Sequence, residues 1–105
     1  MKTVRRRYLA LTVDSDQVPS SNEFMDAVWG AVSRLYGECG ASRAGLSLIS
    51  YDADRRLAVV RVAHLAVDMV RAAVATITRI DTTAAAVHLL AVSGTIKALH
   101  HKINT

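Results

Sequence analysis

The 105-residue chain has little cysteine, little proline and few aromatics: one Cys, one Pro, and five Phe, Trp and Tyr residues in all. A lone Cys39 excludes an intramolecular disulfide and a multi-thiol metal centre, and suits a reducing compartment. With so few aromatics, the apolar content comes mostly from Ala, Val, Leu and Ile. That favours helices packed closely on a sheet over an aromatic-lined ligand pocket. No apolar run approaches the roughly 20 residues needed to span a bilayer. The opening "MKTVRRRYLALTVDSD" is basic and then briefly apolar, but the apolar part alternates, and Asp14 and Asp16 interrupt it where a signal-peptide cleavage region would fall. The chain reads as cytoplasmic.

What is present is a foldable core and an uneven charge. A hydrophobic fraction of 51% against 21% charged residues excludes a disordered chain. The length predicts one domain, residues 1–105, able to bury roughly 60–70% of its unfolded surface without staples. The net charge is +4. Lys2, Arg5, Arg6 and Arg7 crowd the start of the chain, and Lys97 and Lys102, with His100 and His101 between them, crowd its end. The middle carries seven basic residues against all nine acidic ones. If the fold joins the two ends they make one cationic patch; if not, the charge is solubilising.

The hydrophobic pattern supplies the topology. Tyr8 to Val13 alternates as a first strand. Ser20 and Glu23, just after Pro19, have capping-box spacing, and Phe24, Val28, Val32, Leu35 and Tyr36 follow at helical spacing to about Gly37. "LSLISY" (46–51), "DADRR" (52–56) and "LAVVRVAHL" (57–65) read as strand, tight turn and strand. Asp68 can cap a second helix with an inward stripe of Val70, Ala73, Val74, Ile77 and Ile80, ended by "DTT" (81–83). "AAAVHLLAV" (84–92) is a fourth strand. "SGTIKALHHKI" (93–103) is a short helix with Ile96, Leu99 and Ile103 on one face and Lys97, His101 and Lys102 pointing away. The order βαββαβ plus a C-terminal helix predicts an α+β, ferredoxin-like (RRM-like) sandwich with a four-stranded antiparallel sheet in the order 4-1-3-2. Strands 1 and 4 are then antiparallel neighbours, which brings Arg5–Arg7 and "SGTIK" to one end of the sheet. Two helices cover one face and the third only partly covers the other, so a partner surface is expected.

Catalysis finds no support. Cys39 has no histidine near it in sequence. Asp52 and Asp54 belong to a hairpin turn beside Arg55 and Arg56, and Asp14 and Asp16 to a strand exit. His100 and His101 are adjacent on a helix and diverge by roughly 100°; His64 and His88 lie on strands that the topology separates. "GECGASRAG" lacks the strand and helix that frame a phosphate loop. Nucleic-acid binding fares better, since guanidinium groups match phosphate oxygens. Base stacking on an open sheet needs aromatics on the central strands, and only Tyr8 is offered; backbone and shape recognition by the basic end is expected instead. The competing reading is a small regulatory module of the same fold that binds a metabolite or a protein.

Three stretches carry a family resemblance over about residues 4 to 103. "VSGTIKALHHK" (92–102) resembles the strand-end signature of the ribonuclease P protein component 2 family of archaea, whose eukaryotic relatives serve ribonucleases P and MRP. "RRRYLALTV" is similar to that family's opening and "YDADRRLAVVRV" (51–62) to its hairpin, with Ala58 where a glycine is expected. The resemblance implies a subunit without an active site of its own in ribonuclease P, whose RNA, with bound Mg²⁺, removes the 5′ leader of precursor tRNA. It further implies pairing with ribonuclease P component 3, a barrel-fold subunit, and a homodimer within a heterotetramer. The expected RNA contacts are Arg5, Arg6, Arg7, Lys97 and Lys102, with Tyr8 stacking or positioning and Thr95 and the Gly94 backbone approaching phosphate. No metal or other cofactor is expected on the protein itself. Arg61 is expected at a protein contact or paired with an acid.

Overall fold

The computed structural model describes residues 5–103, so Lys2 lies outside the described residues. Chain order is β1 (Arg6–Ser15), α1 (Ser21–Ala44), β2 (Ser47–Asp52), β3 (Leu57–Ala63), a single 3₁₀ turn (His64–Ala66), α2 (Val67–Ala75), β4 (Arg79–Ile80), β5 (Thr83–Ser93) and α3 (Ile96–Ile103). The strands form one antiparallel sheet in the order β2-β3-β1-β5-β4. The four long strands therefore stand as the topology predicts.

Two apolar clusters hold the layers together, one on each face of the sheet. Leu9, Leu11 and Val13 of β1 pack with Phe24, Val28, Ala31 and Val32 of α1 and with Val70, Ala73 and Val74 of α2. The alternate residue Ala10 packs on the other face with Leu57, Val59 and Leu99, and Tyr8, Ala91 and Ile103 border that cluster. The period-2 alternation of β1 thus feeds two cores. One is covered by two helices, the other by the eight-residue α3.

The start of α1 is as the spacing predicts. Ser20 Oγ accepts the Glu23 amide at 3.2 Å, and the Glu23 carboxylate accepts the Ser20 amide at 2.8 Å. These Ser20 bonds, the backbone one first, hold the Glu23 carboxyl below its ordinary range. The end of the helix differs from expectation. At Gly37 the backbone leaves helical geometry (φ 76°, ψ 170°), and the helix then resumes to Ala44, with left-handed Gly45 (φ 63°) as its C-cap. Burial resumes at Ala41 and Ala44, while Leu35 and Tyr36, expected on the inner stripe, are 49% and 42% exposed. The kink redirects only the turns after Gly37; Leu35 and Tyr36 stand just before it.

The hairpin between β2 and β3 closes through Asp52 Oδ1, which accepts the Arg55 amide at 3.2 Å, and through Arg56 at φ 53°. The Arg56 guanidinium donates to the Ser15 carbonyl, and the Val13 amide donates to the Arg56 carbonyl at 3.0 Å. This ties the turn to the far end of β1. Tyr51 donates its hydroxyl proton to the Pro19 carbonyl and stacks at a tilt on Phe24, with ring centroids 5.7 Å apart.

The segment after β3 corrects three expectations. His64 belongs to the 3₁₀ turn and not to the strand. The cap position of α2 is Ala66, so Asp68 sits in the first turn without capping it through its side chain. Helix α2 ends at Ala75; Ile77 and Ile80 are buried as expected, but from a turn and from β4. Four of the five residues Thr76-Ile77-Thr78-Arg79-Ile80 are β-branched, which disfavours continued helix. Thr76 Oγ1 instead donates to the Ala73 carbonyl at 2.6 Å. Asp81 at φ 56° then closes a hairpin, pairing Ile80 with Thr83. The predicted four-stranded sheet gains this fifth, two-residue strand. Among the described residues no helix is long and apolar enough to cross a membrane.

Candidate nucleic-acid interface

The pairing of β1 with β5 decides where the basic residues go. Tyr8 stands opposite Ser93 and Leu9 opposite Val92. The chain therefore enters the sheet through Arg5–Arg7 at the same end where it leaves through Gly94 and Thr95. The Arg5 carbonyl accepts the His64 amide at 2.8 Å, which pins the entry point against the 3₁₀ turn.

Within that end the arginines divide between two faces. Arg6 precedes Tyr8 by two residues and shares the α3 side of the sheet, whereas Arg7 shares the side of Leu9. Arg7 lines a shallow recess with His64, Leu65, Val67, Asp68 and Val92. Its Nη1 donates to the Arg6 carbonyl at 3.3 Å and lies 3.3 Å from where a Cβ on Gly94 would be. A glycine at 94 therefore leaves room for the guanidinium. The two basic stretches meet at one end of the central strands, spread over both faces of the sheet and not as one flat patch.

The other expected contacts have defined places. Thr95 Oγ1 accepts the Ala98 amide at 3.1 Å, so its hydroxyl serves as the N-cap of α3; its own amide donates to Ser93 Oγ at 3.5 Å. The first turn of α3 holds Lys97 and no acid. Lys97 is exposed and shares the outer surface of α3 with His100, His101 and Lys102. Lys102 Nζ donates to the Val92 carbonyl at 2.7 Å, tying the end of α3 back to β5. Tyr8 is half-buried beside the α3 cluster. Among the described residues Arg5, Arg6, Arg7 and Lys97 form no ion pair.

Of the two expectations for Arg61, the pairing with an acid is not met. It pairs with no acid among the described residues, and its Nε is enclosed without a hydrogen-bond acceptor. The described residues also hold no group of three or more His, Cys, Asp and Glu side chains placed to bind a metal ion. Cys39 is free and exposed. Large apolar side chains remain on the surface, among them Trp29, Tyr36, Leu65 and Leu90. Leu90 is the unpaired residue of a bulge where β1 pairs with β5.

The class these features define is an antiparallel α+β domain with basic residues gathered at one end of its sheet. The chain is a member of the Rpp14/Pop5 family, which matches residues 7–104. It is 33% identical over 98 residues to ribonuclease P protein component 2 of Methanosarcina barkeri, covering 93% of this chain and 71% of that protein. With the protein of the same name from Pyrococcus furiosus it shares 32% identity over 98 residues, covering 93% of this chain and 82% of the relative. Its fold is that of a chain in the cryo-EM structure of yeast ribonuclease MRP, at a TM-score of 0.69 and 20% identity over 99% of this chain and 95% of the other.

Proposed function

We propose that the chain is a non-catalytic protein subunit of ribonuclease P that supports the catalytic RNA in removing the 5′ leader of precursor tRNA in the cytoplasm. The relatives' name, ribonuclease P protein component 2, supports the assignment to that enzyme. The observation that carries the RNA-facing role is the Tyr8–Ser93 register, which joins Arg5–Arg7 to the Gly94–Lys97 segment. Close packing of RNA strands is opposed by phosphate repulsion, and cations anchored on a strand and a capped helix reduce it without being reoriented. The Mg²⁺ of the reaction belongs to the RNA, and precursor tRNA is engaged through that RNA. Ribonuclease P component 3 and a second copy of this chain are the proposed protein partners, and the exposed apolar side chains of α1 supply surface for them.

The test is the salt dependence of binding to ribonuclease P RNA transcribed in vitro. Each phosphate contact contributes about 0.7–0.9 to the slope of log K against log salt. Arg5→Ala, Arg6→Ala and Arg7→Ala together should flatten it by about 2 to 3 if the RNA meets the sheet end-on and reaches both faces. A single face in contact leaves one of Arg6 and Arg7 silent when each is replaced alone. An unchanged slope in the triple variant would remove the RNA-facing role.

A further inference from the structure

Directly opposed residues on neighbouring strands share a face, and at the basic end they form a polar row across the sheet. Ser47 of β2 stands opposite Arg61 of β3, Arg61 opposite Tyr8 of β1, and Tyr8 opposite Ser93 of β5. Neighbours in such a row are about 5 Å apart, so Ser47, Arg61 and Tyr8 span about 10 Å. All three are partly buried, and Tyr8 packs against the apolar cluster under α3. Within the row only Ser93 has a partner, accepting the Thr95 amide. The Tyr8 and Ser47 hydroxyls and the Arg61 guanidinium make no hydrogen bond among the described residues, and Arg61 Nε is shut away from solvent without an acceptor.

An arginine held this way is unusual. Its stem is committed to a central strand, its donor pays desolvation without compensation, and no carboxylate faces it. Arg6, on the same face, is another cation, and the terminal nitrogens of Arg61, which unlike Nε are not sealed from solvent, make no hydrogen bond among the described residues. A guanidinium edge with a neighbouring phenol fits the oxygens of a phosphate group. We propose that Arg61, with Tyr8 and Ser47 beside it, binds a backbone phosphate of the RNA, and so extends the site from the chain ends onto the α3 face of the sheet. This rests on the RNA-facing role above. It assigns Tyr8 a hydrogen-bonding part there, beside a phosphate and not under a base.

The experiment compares Arg61→Met, Arg61→Lys and the triple Arg5/Arg6/Arg7→Ala variant for binding to in vitro transcribed ribonuclease P RNA across a salt series, with thermal melting of each. Arg61→Met should bind about tenfold more weakly, the loss of one charge-assisted contact, and lower the salt slope by about 0.7–0.9. Its melting temperature should stay near that of the parent, while Arg61→Lys keeps the slope. If Arg61→Met leaves the slope intact while the triple variant flattens it, the Arg61 contact is wrong and the RNA-facing role stands. If neither changes the slope, that role itself falls. A drop in melting temperature with an unchanged slope marks Arg61 as a structural cation and overturns the proposal. Should Arg61→Met not fold, modification of the parent chain by p-hydroxyphenylglyoxal decides. Arg61 should react in the free protein and be shielded by RNA, and equal reactivity in both refutes the contact.

Discussion

Replacing Leu99 by alanine should detach α3 from the sheet. Leu99 is fully buried against Ala10, Leu57 and Val59, and is the only α3 side chain that is. Truncation removes three carbons, about 2.4 kcal/mol at about 0.8 kcal/mol for each. The void left behind raises the loss toward the 2–5 kcal/mol usual for buried leucine, so about 3 kcal/mol is expected. In a domain of this size that lowers the melting temperature by between about 10 and 25 °C. A ceiling applies, because α3 is terminal: once the helix lets go, the loss cannot exceed its docking free energy, and the α1–α2 core stays folded. Hydrogen exchange with residue resolution separates the two outcomes. Amides of α3 should lose protection while those of β1 and β3 keep it, and RNA binding should weaken as Lys97 loses its place. A melting temperature within about 2 °C of the parent with α3 still protected would refute Leu99 as the anchor.

Two glycines of α1 should respond to alanine with opposite signs. Gly37→Ala forces a Cβ into backbone geometry that glycine alone adopts readily (φ 76°, ψ 170°) and should cost about 1–3 kcal/mol. In Gly30→Ala, where the added Cβ meets nothing within 4 Å, a gain of about 0.4–1 kcal/mol is expected; urea midpoints read both, and equal signs would refute the kink. The capping box should also show in acid. The Glu23 carboxyl is held below its ordinary 4.5 in the folded chain, so its stabilising contribution is complete above that value and is lost as pH falls through the folded value. Glu23→Gln should remove that part of the acid sensitivity, and identical pH profiles of the urea midpoint for parent and variant would contradict it.

Much of the fold was legible in residue order. The capping box announced itself by spacing, and the β2–β3 hairpin by two apolar runs around "DADRR". The order of the long strands followed from βαββαβ and the handedness of crossovers, and with it the meeting of the basic stretches at one end. The misread parts were those where local preference is weak or overruled. The two-residue strand β4 is too short for any periodicity. Glycine at 37 permits a helix end and a kink equally well. Leu35 and Tyr36 keep helical spacing, yet they stand in the turn just before the kink and are exposed.

For the site, the sequence by itself determined which residues could carry positive charge and that β1 and β5 would bring them together. Only the tertiary structure decided how that charge is presented. Whether Arg6 and Arg7 act side by side depends on strand pleat, which sends them to opposite faces. Whether Thr95 is open to a ligand depends on the start of α3, which uses its hydroxyl as a cap. That Arg61 lacks a carboxylate is a matter of register: Tyr8 and Ser47, far away in the chain, are the residues the sheet sets beside it. Charge is a property of composition, but its pairing and solvation come from neighbours that the fold alone assembles.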